Sequence, residues 1–270
     1  MPHIPWPRAW CLALVVPGLT SCGGEPDAFS LRFGLDPTTL FGAASRPDAS
    51  VQVMEVPPPT PPSFKSSDGL EFQLRSATST LFDVRLALPG ARTCASLQDL
   101  LSPVMTCEDA VGGQPGALVL PGPLEVDWSQ GTTRPEGPLR IPAGVYRRVD
   151  SRLGTTPPTG PSFSARASFY FKGQTNMLEL DLSTQEALRF EPPGPIDVEI
   201  ERPDGTVQVG MLDASLWLQG VPVKQCLTTG ELTLTDRTLR LEEARGACEG
   251  AAERVKHNIL SSGRLYVFIP

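Results

Sequence analysis

The strongest constraint on this chain is an alternation. Phe163, Ala165, Ala167, Phe169 and Phe171 are apolar, and Ser164, Arg166, Ser168, Tyr170 and Lys172 stand between them. Side chains on an extended strand point to opposite faces in turn. A period of two therefore sets one group against a core and the other in water. Leu178, Leu180 and Leu182 repeat the pattern against Glu179, Asp181 and Ser183, as do Ile196, Val198 and Ile200 against Asp197, Glu199 and Glu201. Pro203-Asp204-Gly205 is a turn leading into Val207 and Val209. Strands with one wet face belong to antiparallel sheets. Turn signals recur at the spacing of sandwiches and barrels. The expected fold is mainly β: an antiparallel β-sandwich.

Leu70, Phe72 and Leu74, then Phe82, Val84, Leu86 and Leu88, keep the even positions apolar. So long a run exceeds an ordinary strand, which predicts a bend, bulge or turn within Ser76–Thr80. Helical signals are few. Asp213 is positioned to cap a short helix through Leu218, stopped at Gly220. A longer helix is expected from about Cys248 to Leu260. Ala251, Ala252, Val255, Ile259 and Leu260 form its apolar side, and Glu253, Arg254, Lys256 and His257 point away. Ala95–Leu101 is a candidate helical turn, and Leu265–Ile269 a candidate final strand.

The N-terminus reads as an address. Arg8 precedes the apolar run Ala9–Val16, Pro17-Gly18 breaks it, and small residues follow, so residues 1–21 are expected to be a signal peptide. Leu19-Thr20-Ser21-Cys22 resembles the lipobox of bacterial lipoproteins. That resemblance implies acylation of Cys22 by diacylglyceryl and palmitate-type chains, with the membrane as a partner through those chains. Gly23 in place of an aspartate points to the outer membrane. Residues 22–62 are expected to be a lipidated tether. It ends in the Pro-rich run Val56–Pro62, which favours extended polyproline II. Phe29–Leu35 and Val51–Val56 alternate like strands, and pairing of either with the domain edge would shorten the tether. The domain is drawn as 63–270 and expected to fold alone.

Charge and cysteines narrow the classes. The whole chain has 23 basic and 30 acidic side chains, a net of −7. Removal of 1–21 takes one arginine and no acid, so the mature balance is −8. That excludes a nucleic-acid partner, which needs a basic face, and electrostatic adsorption to anionic lipid. With Cys22 acylated, Cys94, Cys107, Cys226 and Cys248 remain, an even set suited to disulfides in an oxidising compartment. Three pairings are open. Nearest-in-sequence pairing joins Cys94 to Cys107 and Cys226 to Cys248. No CxxC pair is present, so no metal is expected.

The sequence offers little to catalysis. His257 is the one histidine after residue 21, and there is no GxSxG elbow, Walker loop or HExxH. Glu179 and Asp181 share a strand face, as a glycosidase pair would, but so do Asp197, Glu199 and Glu201, which is how a wet face reads. Neither enzyme activity nor a cofactor is expected. Arg147 shares the parity of Ile141, Ala143, Val145, Val149 and Leu153. In that register it faces inward and needs an acid or an anionic ligand; a bulge or strand end would release it to water. Tyr146, Arg147, Arg148 and Tyr170 are the candidate ligand-binding residues, with Tyr146, Arg148 and Tyr170 read as outward. With Trp128 and Trp217, the two tyrosines are the aromatics a glycan platform would use, although Trp217, between Leu216 and Leu218, is read as core.

Leu139–Val149 contains Pro142-Ala143-Gly144-Val145-Tyr146. It resembles the P-A-G-x-Y segment of uncharacterised Gram-negative bacterial lipoproteins with a β-sandwich domain of unknown function. The Trp-bearing Leu212–Leu218 and the Cys-bearing C-terminal helix ending Ser262-Gly263-Arg264 fit the same pattern. The resemblance implies a fold and an envelope location, and no reaction. The expected role is a non-catalytic binding or structural module with an envelope-protein or glycan partner. The alternative is a glycan- or small-ligand-binding lipoprotein.

Overall fold

A computed structural model describes residues 28–35, 62–88, 92–113, 115–137, 139–142, 146, 148–155, 160–193 and 207–268. Residues 1–21 expected to be a signal peptide, Cys22, Val51–Val56, Arg147, Ile196–Ile200 and the expected turn at Pro203–Gly205 lie outside them. The described strands are β1 (Ala28–Gly34), β2 (Ser63–Lys65), β3 (Glu71–Ala87), β4 (Thr106–Glu108), β5 (Ala117–Leu120), β6 (Leu124–Asp127), β7 (Thr132–Arg134), β8 (Leu139–Pro142), β9 (Val149–Leu153), β10 (Phe163–Phe171), β11 (Gln174–Leu182), β12 (Ala187–Phe190), β13 (Val207–Leu212), β14 (Leu234–Thr235), β15 (Thr238–Arg240) and β16 (Gly263–Phe268). Two helices, α1 (Val223–Thr229) and α2 (Ala251–Ser261), accompany short 3-10 turns. The protein is mainly β, with two sheets forming a sandwich and a short C-terminal helix.

The larger sheet is organised around β3. Along one side β3 pairs first with β10 and then with β9; along the other it meets β2, β6 and β5 in turn. β10 and β11 form the hairpin that the alternation demanded, with Phe163, Ala165, Ala167 and Phe169 all buried. Lys172 and Gly173, both at positive φ, turn the chain between them. The expected interruption of the long strand exists, but not within Ser76–Thr80. Leu74 lies opposite Ala167 and Ser76 opposite Arg166, which leaves Arg75 as an extra residue. A second extra residue falls between Phe82 and Arg85, where Asp83 has φ +49°. Each bulge moves the buried set by one position. Leu74 is followed by Ala77 and Leu81, then by Val84 and Leu86. Two flips restore the original parity, so the apolar even positions at both ends hid both events.

The smaller sheet runs β16-β13-β1-β8. β1 lies inside it, parallel to β13 and antiparallel to β8. The segment read as the start of a tether is thus an internal strand, with Phe29, Leu31 and Phe33 buried in the main core. This corrects both the 22–62 tether and the domain start at residue 63. The alternation at Phe29–Leu35 does mark a strand, but one inside the sheet rather than at the domain edge. β11 and β15 also pair in parallel, so both sheets are mixed rather than uniformly antiparallel.

The two sheets join at one corner. Leu265 N–H donates to Glu191 O at 2.9 Å, linking the end of β12 to β16. A Cβ at Gly263 would stand 2.0 Å from Arg189 O, so only glycine permits this approach. Because the obstacle is backbone, Gly263→Ala is expected to cost about 2–3 kcal/mol in urea unfolding. A change below about 0.5 kcal/mol would mean the corner opens freely.

The helical expectations hold with shifted boundaries. Asp213 accepts from Ser215 N–H at 3.1 Å and caps a 3-10 turn at Ala214–Leu216. α2 begins after Gly250, later than expected, and buries Ala251, Val255 and Ile259. The Ala95–Leu101 stretch is two 3-10 turns. α1 was not foreseen. Val223, Cys226 and Leu227 do follow helical spacing, and Gly230 ends it in the left-handed region, but seven residues give only two turns of pattern. Among the described residues no helix is long and apolar enough to cross a membrane.

Both disulfides are nearest-neighbour pairs, Cys94–Cys107 and Cys226–Cys248. The second ties α1 to the 3-10 turn ahead of α2, across 22 residues of sequence. Replacing Cys226 and Cys248 together by alanine is expected to remove about 3 kcal/mol, the loop-closure entropy regained by the unfolded chain. Chemical denaturation with Cys94–Cys107 intact measures it, and an unchanged midpoint would refute it.

Candidate functional site

Of the four residues proposed for a ligand site, Tyr146, Arg148 and Tyr170 are described, and they are not brought together. Tyr146, expected to point outward, is fully buried, and its hydroxyl donates to Pro142 O at 2.8 Å. Burial pushes its phenol pKa up. The reason is a change of sheet. β8 belongs to the smaller sheet and β9 to the larger one, so the parity assumed from Ile141 to Leu153 does not run through. Tyr146 fastens the crossing between them. Arg148 Nε lies 2.7 Å from Asp150 Oδ2, and Asp150 Oδ1 also accepts from Arg189 Nε at 2.9 Å. Arg148 is therefore one of three members of an ion-pair cluster with Asp150 and Arg189.

Tyr170 is exposed, at 66%. Its neighbour Phe169 lies opposite Phe72, near the start of β3, whereas Arg148 O accepts from Ala87 N–H at the far end of β3. At about 3.3 Å per residue the two ends of β3 are roughly 50 Å apart. Tyr170 therefore cannot share a ligand with Arg148. Trp128 and Trp217 are fully buried, and their indole N–H groups donate to Ser79 Oγ at 2.9 Å and Ser262 Oγ at 3.3 Å. The aromatic glycan platform considered from the sequence thus reduces to Tyr170 alone.

The structure offers a different recess, which the sequence did not signal. A cleft of about 460 Å³ lies between the β6–β7 hairpin and strands β3 and β10. Hydroxyls of Thr78, Thr80, Thr132 and Thr133 line it, with Glu125, Asp127 and Arg134. Thr132, Thr133 and Arg134 also wall a second hollow of about 510 Å³ against Leu31 and Phe33 of β1. Much of the polar lining is already engaged. Asp127 Oδ1 accepts from Ser129 Oγ at 2.6 Å and Gln130 N–H at 3.0 Å. Thr133 Oγ1 donates to Pro135 O at 3.1 Å. The cleft suits a small polar ligand bound by hydroxyls and Arg134. His257 lies apart from it, in a separate hollow beside Glu186 and Arg264.

Glu179 and Asp181 are arginine-paired on the outer face of the larger sheet. Arg166 grips Asp181 through two hydrogen bonds of 2.9 and 2.8 Å, and Arg240 Nη2 lies 2.9 Å from Glu179. Burial pushes the Asp181 carboxyl up, but Arg166 and Ser164 hydrogen bonds and the Arg166 and Arg240 charges outweigh it and hold its pKa below the ordinary value of 3.8. A depressed carboxylate stabilises the fold above its unfolded pKa. That stabilisation is lost as pH falls through the lower folded value. Below about pH 4 the urea midpoint of the wild type is expected to fall more steeply than that of Asp181→Asn. The difference is expected to stay under about 1 kcal/mol, since the pair is part-exposed. Parallel slopes would sink the assignment.

Cys226, Cys248 and the Glu231 carboxylate bring their sulfur and oxygen atoms within 4.8 Å of one another. Both sulfurs are spent in the disulfide, which supplies no thiolate for a metal. Glu231 Oε1 instead accepts from Ala247 N–H at 3.2 Å, bracing the turn that carries Cys248. No family model, curated protein or solved structure matches this chain.

Proposed function

We propose that this chain is a lipid-anchored protein of the bacterial envelope, held at the outer membrane by acyl chains on Cys22. Its sandwich acts as a binding or structural module without catalytic turnover. The carrying observation is the cysteine arrangement. Cys94, Cys107, Cys226 and Cys248 are consumed in two disulfides, as suits an oxidising compartment. Of the cysteines after residue 21, that leaves Cys22, which stands where the lipobox resemblance puts the acylated residue.

Two measurements test the reading. Mass spectrometry of the mature N-terminus is expected to find acyl chains on Cys22, absent in Cys22→Ser. Crosslinking in intact cells followed by affinity capture is expected to recover one envelope protein in stoichiometric amount. Recovery of the chain alone would sink the assembly role. It would favour the alternative, a small-ligand-binding lipoprotein, for which the hydroxyl-lined cleft is the supporting observation. Loss of binding in Arg134→Ala would then identify the cleft.

A further inference from the structure

The distance between the anchor and the first paired strand constrains how the domain meets the bilayer. β1 begins at Ala28, so only residues 23–27 separate it from Cys22. Six residue steps span at most about 21 Å when fully extended. As a flexible coil they average about 13 Å. A tether reaching residue 62 would have extended roughly 140 Å and let any face of the domain turn to the membrane. β1 removes that freedom, because it is an internal strand with Phe29, Leu31 and Phe33 in the core.

β1 also has a direction. Its first residue, Ala28, lies opposite Pro142 of β8; its last, Gly34, lies opposite Met211 of β13. β8 therefore stands level with the anchored half of β1. Leu212, which lies opposite Gly263, and the Asp213–Gly220 turn that follows it belong to the other end, about 20 Å away.

A largely apolar recess flanks β8, from Ile141 opposite Phe29 at the anchored half of β1 to Pro135–Gly137 beyond Leu139. A hollow of about 720 Å³ runs along β8 and the segment that includes the Cys94–Cys107 loop, lined by Leu100, Val104, Met105, Leu139 and Ile141. β8 is an edge of its sheet. Leu100 is 37% exposed and Val104 53%, two of the four exposed large apolar side chains among the described residues. The net charge of −8 after removal of residues 1–21 gives this end no general attraction to anionic lipid. Insertion of apolar side chains among zwitterionic headgroups needs no such attraction.

We infer that the rim formed by β8 and the Cys94–Cys107 loop is a membrane-contacting surface, seating Leu100 and Val104 among lipid headgroups. This rests on acylation of Cys22. The Asp213–Gly220 turn then faces away from the bilayer and is the end presented to other envelope components.

The test uses the acylated mature chain in phosphatidylethanolamine–phosphatidylcholine vesicles, with a nitroxide quencher on a fraction of the headgroups. Val104→Trp and Gln219→Trp place an indole at each rim, and the two buried native tryptophans give a common background. Quenching is expected to be at least twofold greater for Val104→Trp. A flexible 20-residue spacer after Gly24 is expected to reduce that difference. Equal quenching at the two positions in protein of verified acyl mass would overturn the orientation while leaving the anchor intact. Absence of acyl mass on Cys22 would overturn the anchor itself and, with it, this surface.

Discussion

Removing residues 23–62, and β1 with them, is expected to abolish cooperative folding, so that 63–270 shows no sharp unfolding transition while 23–270 does. β1 is paired on both sides, with β13 over five positions and with β8 over four. Its removal leaves two strands facing water along their inner edges. It also removes three fully buried side chains, Phe29, Leu31 and Phe33. Phe33 alone meets Trp128 edge-on at 5.9 Å between ring centroids and Phe190 at 5.6 Å. At roughly 1.5–3 kcal/mol for each such side chain, the apolar loss is about 5–9 kcal/mol before backbone pairing is counted. Typical domains are stable by only about 5–15 kcal/mol. Circular dichroism during heating tests this directly. A cooperative melt of 63–270 within a few degrees of the longer protein would overturn the placement of β1.

Trp217→Ala is the second large expected effect, a loss of about 3–5 kcal/mol. Trp217 follows the Asp213-capped turn and is fully buried. Its ring lies 5.5 Å from Phe163 of β10, edge-on, and 5.6 Å from Phe64 of β2. The indole N–H reaches Ser262 at the end of α2, and Asn258 of α2 donates to Trp217 O at 3.1 Å. One side chain thus links the larger sheet to the C-terminal helix. For a domain this size the melting temperature is expected to fall by about 10 °C or more. Tyr170→Ala, at the exposed hairpin, is expected to change stability by less than about 0.5 kcal/mol. Near-equal effects of the two substitutions would refute the burial argument.

The parts of the fold visible in the sequence are those with local causes. The β10–β11 hairpin follows from nine residues of alternation on each side of Lys172-Gly173. The capped turn at Asp213 and the apolar stripe of α2 are also local, involving residues within one or two turns. The missed features each needed a partner far away. Tyr146 read as outward because parity was carried across a change of sheet. The β3 bulges were displaced because two register shifts cancel in the parity of the ends. Trp128 gave no sign of its surroundings, since Phe33 and Phe190 lie 95 and 62 positions away in sequence. The hydroxyl-lined cleft was hidden for the same reason: Thr78, Thr132 and Ser164 come from three separate strands.

By itself the sequence determined the class of fold, the wet and dry faces of most strands, and the readiness of four cysteines for two short loops. A period of two and a net charge are properties of a segment or a composition, and need no knowledge of neighbours. Only the tertiary structure decided which strand lies beside which. Phe29–Gly34 alternates equally well as a loose tether or an edge. It is an internal strand because β8 and β13, more than a hundred residues later, offer it two edges and a core. The gain from burying its aromatic side chains between them exceeds the entropy lost in closing so long a loop, since that cost grows only logarithmically with length.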